Sequence, residues 1–321
     1  MSELSMANIE MMSARDAFGL ALSEIGAENE KIVLLGADAI GSTRAAGFAK
    51  RFPERTFNFG IAEQEMVSAA AGFAACGKIP VATAYGFLFS LRACEQVRTD
   101  ICYQNLNVKL MSTHTGLTMA EAGTTHHSTE DIAIMRSFAN MTIVAPADSM
   151  ETVKAVRAVI EYPGPVYLRM GRGETESVYR EDYDFRIGRA ITIREGRDVT
   201  IIACGIMVAE AAKAAETLSR EGISARVLNM HTIKPLDVGA VLLAAHETGA
   251  IVTAEEHTVI GGLGEAVSGT VCEEFPVPVA KVGLKDCYAI IGPEEGVKQA
   301  LGLNAEAICQ AAKRVIRRKS R

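Results

Sequence analysis

The chain has no tryptophan, and aromatic residues make up only 6% of its 321 positions. A flat ligand that needs ring stacking would therefore find few places to bind. The seven cysteines, at 76, 94, 102, 204, 272, 287 and 309, form no C-x-x-C pair and leave an odd number. That spacing excludes the usual zinc cage and gives no disulfide framework, so they read as reduced, mostly core cysteines of a cytoplasmic protein. Long apolar runs are missing too. The segment Met1-Ser2-Glu3-Leu4-Ser5-Met6 carries acid early, and nothing has the length of a signal peptide or a membrane span, so neither export nor insertion is expected. Finally, there is no excess of positive charge. A net charge of -6 gives no general attraction to nucleic acid or anionic lipid, and the basic tail Lys313–Arg321 reads as a solvated helix end.

What is present is the balance of a compact soluble chain, with 49% hydrophobic and 22% charged residues in a length that suits two domains. Short apolar runs alternate with amphipathic stretches, the pattern of parallel sheets covered by helices. In the first half the spacing predicts strands at Lys31–Gly36, Thr56–Phe59, Ile79–Ala84, Val108–Ser112, Met141–Ala145 and Val166–Leu168. Helices are predicted at Glu63–Cys76, Leu88–Gln104 and Ser149–Ile160. The aperiodic stretch from Gly171 to Arg189 marks a boundary. Beyond it a second, smaller α/β unit with its own sheet is expected, with strands at Val199–Ala203, Ala225–Leu228, Ala250–Ala254 and Val277–Val282. Its helices fall at Val208–Arg220, Leu236–Ala245, from Gly261 to Glu274, and from Glu294 to Ile316 with a break near Gly302. The fold class is α/β, two parallel or mostly parallel sheet domains covered by helices. The expected limits are 1–175, a linker at 176–190, and 191–321.

Five groups of residues could carry chemistry. Glu63 is a lone acid opening an apolar helix whose next turns, Ala69-Ala70-Ala71-Gly72-Phe73-Ala74, are expected to be nearly all buried. It is either an ordinary first-turn acid or a carboxyl at the ligand-binding edge of a sheet, able to share a proton with a heterocycle. Tyr85-Gly86-Phe87-Leu88-Phe89 gathers rings at a strand end, as core or as a stacking wall. The loop from His114 to His127 holds three of the six histidines in a stretch too polar and glycine-rich for a core, which suits catalysis better than zinc. Arg15, Arg169 and Arg172 stand at element ends, where arginines clamp phosphate or pair with surface acids. Gly261-Gly262-Leu263-Gly264 could cradle an anion at a helix start, or serve close strand-to-helix packing.

In this order, the segments resemble the pyrimidine-binding and C-terminal domains of the transketolase family over nearly the whole chain. Gly60-Ile61-Ala62-Glu63-Gln64 resembles the activating-glutamate motif, Phe87-Leu88-Phe89 the aromatic wall against the aminopyrimidine, and Gly123-Thr124-Thr125-His126-His127 the substrate-histidine loop. Asn140–Asp148 is a further family-like stretch. The resemblance implies thiamine diphosphate as cofactor, with Glu63 on N1′ of its pyrimidine and Ile61, Phe87, Phe89, Arg92 and Asp38 beside it. It implies that His114 and His126 contact substrate hydroxyls and move protons, and that Arg15, Ser42 and Arg169 hold a phosphate or other terminal anion. No residue is implied as a metal ligand.

Two departures stand out. The family's Asp before the loop glycine is Ala122 here, and its Pro after that glycine is Thr124, which implies an unusual sugar preference. The family's Gly-Asp-Gly motif followed by Asn, which holds magnesium and diphosphate, is absent. The resemblance then implies a partner chain that carries the motif and binds Mg2+, two copies of each chain, and ketol transfer in cytoplasmic pentose phosphate metabolism. The alternatives are the beta subunit of a 2-oxo-acid dehydrogenase decarboxylating component, a 1-deoxyxylulose-5-phosphate synthase-like activity, or a non-catalytic regulatory relative. The loop from His114 to His127 resembles the ketol-transfer pattern better than the dehydrogenase one.

Overall fold

The computed structural model describes residues 9, 12–179 and 183–319, so the last two residues of the basic tail lie outside the described residues. Ile32-Val33-Leu34-Leu35-Gly36 is buried at every position, which is how a strand reads when helices cover both faces of its sheet. Each such Val or Leu contributes about 1.5–3 kcal/mol on burial. This strand, β1 (Ile32–Gly36), is followed by β2 (Thr56–Asn58), β3 (Ile79–Tyr85), β4 (Lys109–Thr113), β5 (Thr142–Val144) and β6 (Val166–Arg169). They pair in parallel in the order β5-β6-β4-β3-β1-β2. The second sheet contains β7 (Ile191–Arg194), β8 (Val199–Ala203), β9 (Ala225–Asn229), β11 (Ile251–Thr258) and β12 (Val279–Leu284), in the order β12-β11-β8-β9-β7. Among the described residues of this sheet, only β7 runs antiparallel.

The second half does not keep wholly to its own sheet. The intervening strand β10 (Thr232–Lys234) crosses back to pair antiparallel with β5 of the first. A bare β5 would present an open edge, and β10 closes it. The backbone N–H of Ala145 donates to His231 O, and Lys234 Nζ donates to Arg136 O at 2.9 Å, fixing the crossing.

The helices over the first sheet are α1 (Ala14–Glu28), α2 (Ala46–Arg51), α3 (Glu63–Ala75), α4 (Asp131–Ser137) and α5 (Ser149–Glu161). Those over the second are α6 (Met207–Arg220), α7 (Val238–Thr248), α8 (Leu263–Glu274), α9 (Glu294–Ala300) and α10 (Ala305–Ile316). Side-chain caps start several of them: Ser13 accepts from Asp16 N, Asp148 from Glu151 N and Asn304 from Ala307 N. Gly249, at φ 64°, ends α7 in the left-handed conformation.

Four sequence expectations are corrected. The stretch from Leu88 is not one regular helix, because π-helical turns at Leu88–Arg92 and Val97–Cys102 flank a short α turn. α3 buries Met66, Val67, Ala70 and Ala71 but leaves Gly72 and Ala75 exposed, so its outer stripe has no cover among the described residues. Of the cysteines, only Cys102, Cys204 and Cys309 are buried. The loop from His114 to Thr118 is buried despite its polarity, since its threonines are satisfied locally: Thr115 Oγ1 donates to Met170 O and Thr118 Oγ1 to Thr115 O. The glycines at the start of α8 do form an anion cradle, but for an internal anion. The N–H groups of Leu263 and Gly264 donate to the buried carboxylate of Glu255 at 2.7 and 2.8 Å.

Candidate active site

Because the first sheet is parallel apart from β10, the strand ends that precede the candidate residues share one edge, where open α/β sheets bind ligands. Asp38 and Ser42 follow β1, Glu63 follows β2, Phe87 and Arg92 follow β3, His114 follows β4, and Arg169 and Arg172 end or follow β6. Arg15 reaches the same edge from the first turn of α1.

Glu63 opens α3 and is 2% exposed. Arg92 Nη1 donates to its Oε2 at 2.9 Å, from a side chain that is half exposed. A buried carboxylate is therefore held from one side by a cation that reaches in from solvent. Ile61, just before it, is 76% exposed. Phe87 is half-buried and meets the His126 ring edge-on at 5.4 Å. Asp38 is exposed at φ 54°, its N–H donating to Asn58 Oδ1.

His114 anchors the other end. It has a left-handed backbone at φ 57° and is buried, with its ring 4.2 Å from that of Tyr85. Arg15 Nη1 lies 3.4 Å from Nε2, so Nε2 is an acceptor. The proton then sits on Nδ1, which donates to Thr113 Oγ1 at 2.8 Å. Burial, and then the cations Arg15 and Arg172, push the His114 pKa down to about 3, so the ring is neutral. Arg15 also donates to Ser42 O at 3.1 Å. Its own pKa is lowered by burial and by Arg44. Ser42 Oγ is turned inward onto Ala39 O.

The sequence candidates thus divide. Arg15, Ser42 and His114 come together, as do Glu63 and Arg92, and Phe87 and His126. Two candidates are corrected. Phe89 is completely buried in the core, because residues two apart on a helical turn point to opposite sides and Phe87 is the one that faces outward. Arg169 is also buried: its Nε donates to Asp131 Oδ2 at 2.8 Å, and its Nη2 to the carbonyls of Ser128 and Glu256. That guanidinium is spent inside the protein. The exposed Arg172, three residues on, instead shares the field around His114 with Arg15 and Arg44. Thr113 and Arg44 were not foreseen. Thr113 had a signal, a hydroxyl next to the loop histidine, whereas Arg44 had none.

Comparison with known proteins agrees with this architecture. The transketolase pyrimidine-binding domain family matches residues 10–177, and the transketolase C-terminal domain family matches residues 188–308. The 6-deoxy-6-sulfo-D-fructose transketolase subunit SqwH of Clostridium sp. (strain MSTE9) is 42% identical over 95% of both chains. An apulose-4-phosphate transketolase subunit of Phocaeicola vulgatus is 41% identical over 96% of this chain and 98% of its own. Among solved structures, a split gene transketolase described as an inactive beta4 tetramer has a TM-score of 0.88 at 44% identity. The match covers 96% of this chain and 99% of that one. The chain belongs to the transketolase family, as the residues around Glu63 and His126 led one to expect. Within that family it has the two-domain make-up of a split transketolase subunit, and the subunits that it resembles are transferases.

Proposed function

We propose that this chain supplies the pyrimidine-binding half of an active site that transfers a two-carbon ketol unit from a ketose to an aldose. The observation that carries the reading is Glu63, a buried carboxylate at the sheet edge with Arg92 on one side, Ile61 just before it in sequence, and Phe87 at the same sheet edge after β3. Those residues fit an aminopyrimidine, which needs one carboxylate acceptor and apolar surface for its ring. Thiamine diphosphate, when bound, supplies an electron sink for breaking and re-forming a carbon–carbon bond. Glu63 would hold a proton at N1′, and Arg92 would keep its carboxylate oriented.

His114 and His126 are the groups proposed to meet sugar hydroxyls. The neutral His114 offers Nε2 as an acceptor, and Arg15, Arg44 and Arg172 surround it with positive charge. That field suits a sugar with a terminal anion. The names of the two relatives carry such groups, a sulfonate and a phosphate.

The diphosphate and Mg2+ are proposed to be held by a partner chain with Gly-Asp-Gly followed by Asn, a motif not found in these 321 residues. Both named relatives are called subunits and are covered over 95% and 98% of their lengths. The exposed Leu91 and Tyr103, with Ile61, are proposed to form the face that meets another chain. The test is ketol transfer by this chain mixed with the partner, thiamine diphosphate and Mg2+. Turnover only in the mixture supports the reading, and tight cofactor binding by this chain alone would overturn the divided site.

A further inference from the structure

We infer that Glu256, in the second domain, is a positioning residue for His114 in the first, acting through close packing of its carboxylate on the backbone at Gly116. The inference rests on the reading of His114 as a substrate-contacting group. It begins with Glu255-Glu256-His257 near the end of β11, three ionisable residues in a row, all buried. Burying such groups is costly unless each finds partners. Glu255 has the N–H groups that open α8. His257 accepts from Ala133 N at 3.2 Å and faces Thr258 O at 2.7 Å, which ties it to α4.

Glu256 packs against the histidine loop. A methyl group on Gly116 would lie 1.9 Å from Glu256 Oε2, so the carboxylate rests against the bare Cα. Among the described residues Oε1 has no hydrogen-bond partner. Lys298 and Glu294 from α9, and Arg169 from β6, are the charged groups around it.

The same residue holds the other side of the loop. Gly116 and Ser128 exchange backbone hydrogen bonds at 3.0 and 2.9 Å, closing the loop that contains His126 and His127. Arg169 Nη2 donates to Ser128 O at 3.1 Å and to Glu256 O at 3.0 Å. Between His114 and Gly116, Thr115 is fixed through both its N–H and its hydroxyl to Met170 O. His114 is a non-glycine residue at φ 57° two positions from a glycine at φ 61°. Such a conformation persists only where its surroundings over-determine it. Glu256 supplies the constraint on the C-terminal side of His114, as Thr113 does at its ring.

The test compares Glu256→Ala with the near-isosteric Glu256→Gln in the full chain. The readout is the imidazole nitrogen resonances of His114, assigned with a His114→Asn control. The wild type and Glu256→Gln should show a single Nδ1–H tautomer at His114. Glu256→Ala should show averaging between tautomers while the His231 and His257 resonances stay in place. Gly116→Ala, which drives a methyl into the same carboxylate, should reproduce the Glu256→Ala spectrum. In the complex with its partner, thiamine diphosphate and Mg2+, assayed with xylulose 5-phosphate and ribose 5-phosphate, Glu256→Ala should raise KM about tenfold with a smaller change in kcat. An unchanged His114 signal in Glu256→Ala would overturn the inference. So would movement of all the histidine signals together, which means general loosening. If the wild-type mixture transfers no ketol unit from this donor or from sulfonated and other phosphorylated ketoses, the functional reading fails, while the His114 spectrum still decides the role of Glu256.

Discussion

The Arg169 guanidinium and the Asp131 carboxylate meet at 2.8 Å with both side chains buried, the Tyr167 hydroxyl donating to the same carboxylate oxygen. Asp131 raises the Arg169 pKa against the opposing effect of burial. The pair closes a network that reaches the second domain through Glu256 O.

Removing one partner of a buried pair costs about 3–5 kcal/mol, because the other charge stays behind. Arg169→Ala should therefore lower Tm sharply. Arg172→Ala, at an exposed position, should leave Tm in place and weaken binding of a sugar phosphate. Thermal melts and substrate titrations of the two variants check this. If Arg169→Ala melts like the wild type and only substrate binding suffers, Arg169 is the anion clamp after all.

Glu63→Gln keeps the shape of the side chain and an oxygen that can accept from Arg92. Its stability should change by less than about 1 kcal/mol, since Arg92 is half exposed. Turnover of the complex should fall at least about 100-fold, the usual size of a lost acid–base group. Steady-state kinetics beside a melt of the same variant separate the two effects, and retained turnover would remove Glu63 from the mechanism.

How much of this was legible depended on range. β8 coincides with the predicted Val199–Ala203, because a run buried on both faces announces itself locally. Glu63 was legible because an acid at the head of an apolar helix is conspicuous. Arg169 was not, because Asp131 lies 38 residues away and spacing carries no trace of that pairing. Phe89 came in with the resemblance to the aromatic wall, and nothing in the sequence showed that its ring turns into the core while that of Phe87 does not. β10 is three residues long, and its reason for existing is the edge of a sheet formed almost 90 residues earlier, at Thr142–Val144. Glu256 gave no signal at all, since its partner glycine belongs to the other domain.

The outer face of the first domain gives a third expectation. Leu91 is 55% exposed and Tyr103 85%, too apolar a pair to face water without purpose beside the uncovered stripe of α3. The double substitution Leu91→Asp, Tyr103→Asp should leave the Tm of the isolated chain within error. It should abolish association measured by sedimentation, because burying two unpaired carboxylates costs several kcal/mol and each 1.4 kcal/mol is tenfold in Kd. Unchanged association would move the contact to another surface.

The last expectation concerns acid. His257 accepts a hydrogen bond at Nε2 from the Ala133 N–H, and protonation would turn that acceptor into a second donor facing a donor. Burial lowers its pKa from 6.5 to about 4, against the pull of Asp131. Between those values the unfolded chain binds the proton and the folded chain does not. The contribution of His257 to stability is therefore complete above pH 6.5 and is lost as the pH falls toward 4. At about 1.36 kcal/mol per unit, the loss approaches roughly 3 kcal/mol. His257→Gln places an amide oxygen where Nε2 accepts, with no proton to gain. Its Tm should fall less steeply than that of the wild type between pH 6.5 and 4, and the two curves should run parallel above pH 7. Parallel curves throughout would mean that the contact between β11 and α4 does not depend on the neutral ring.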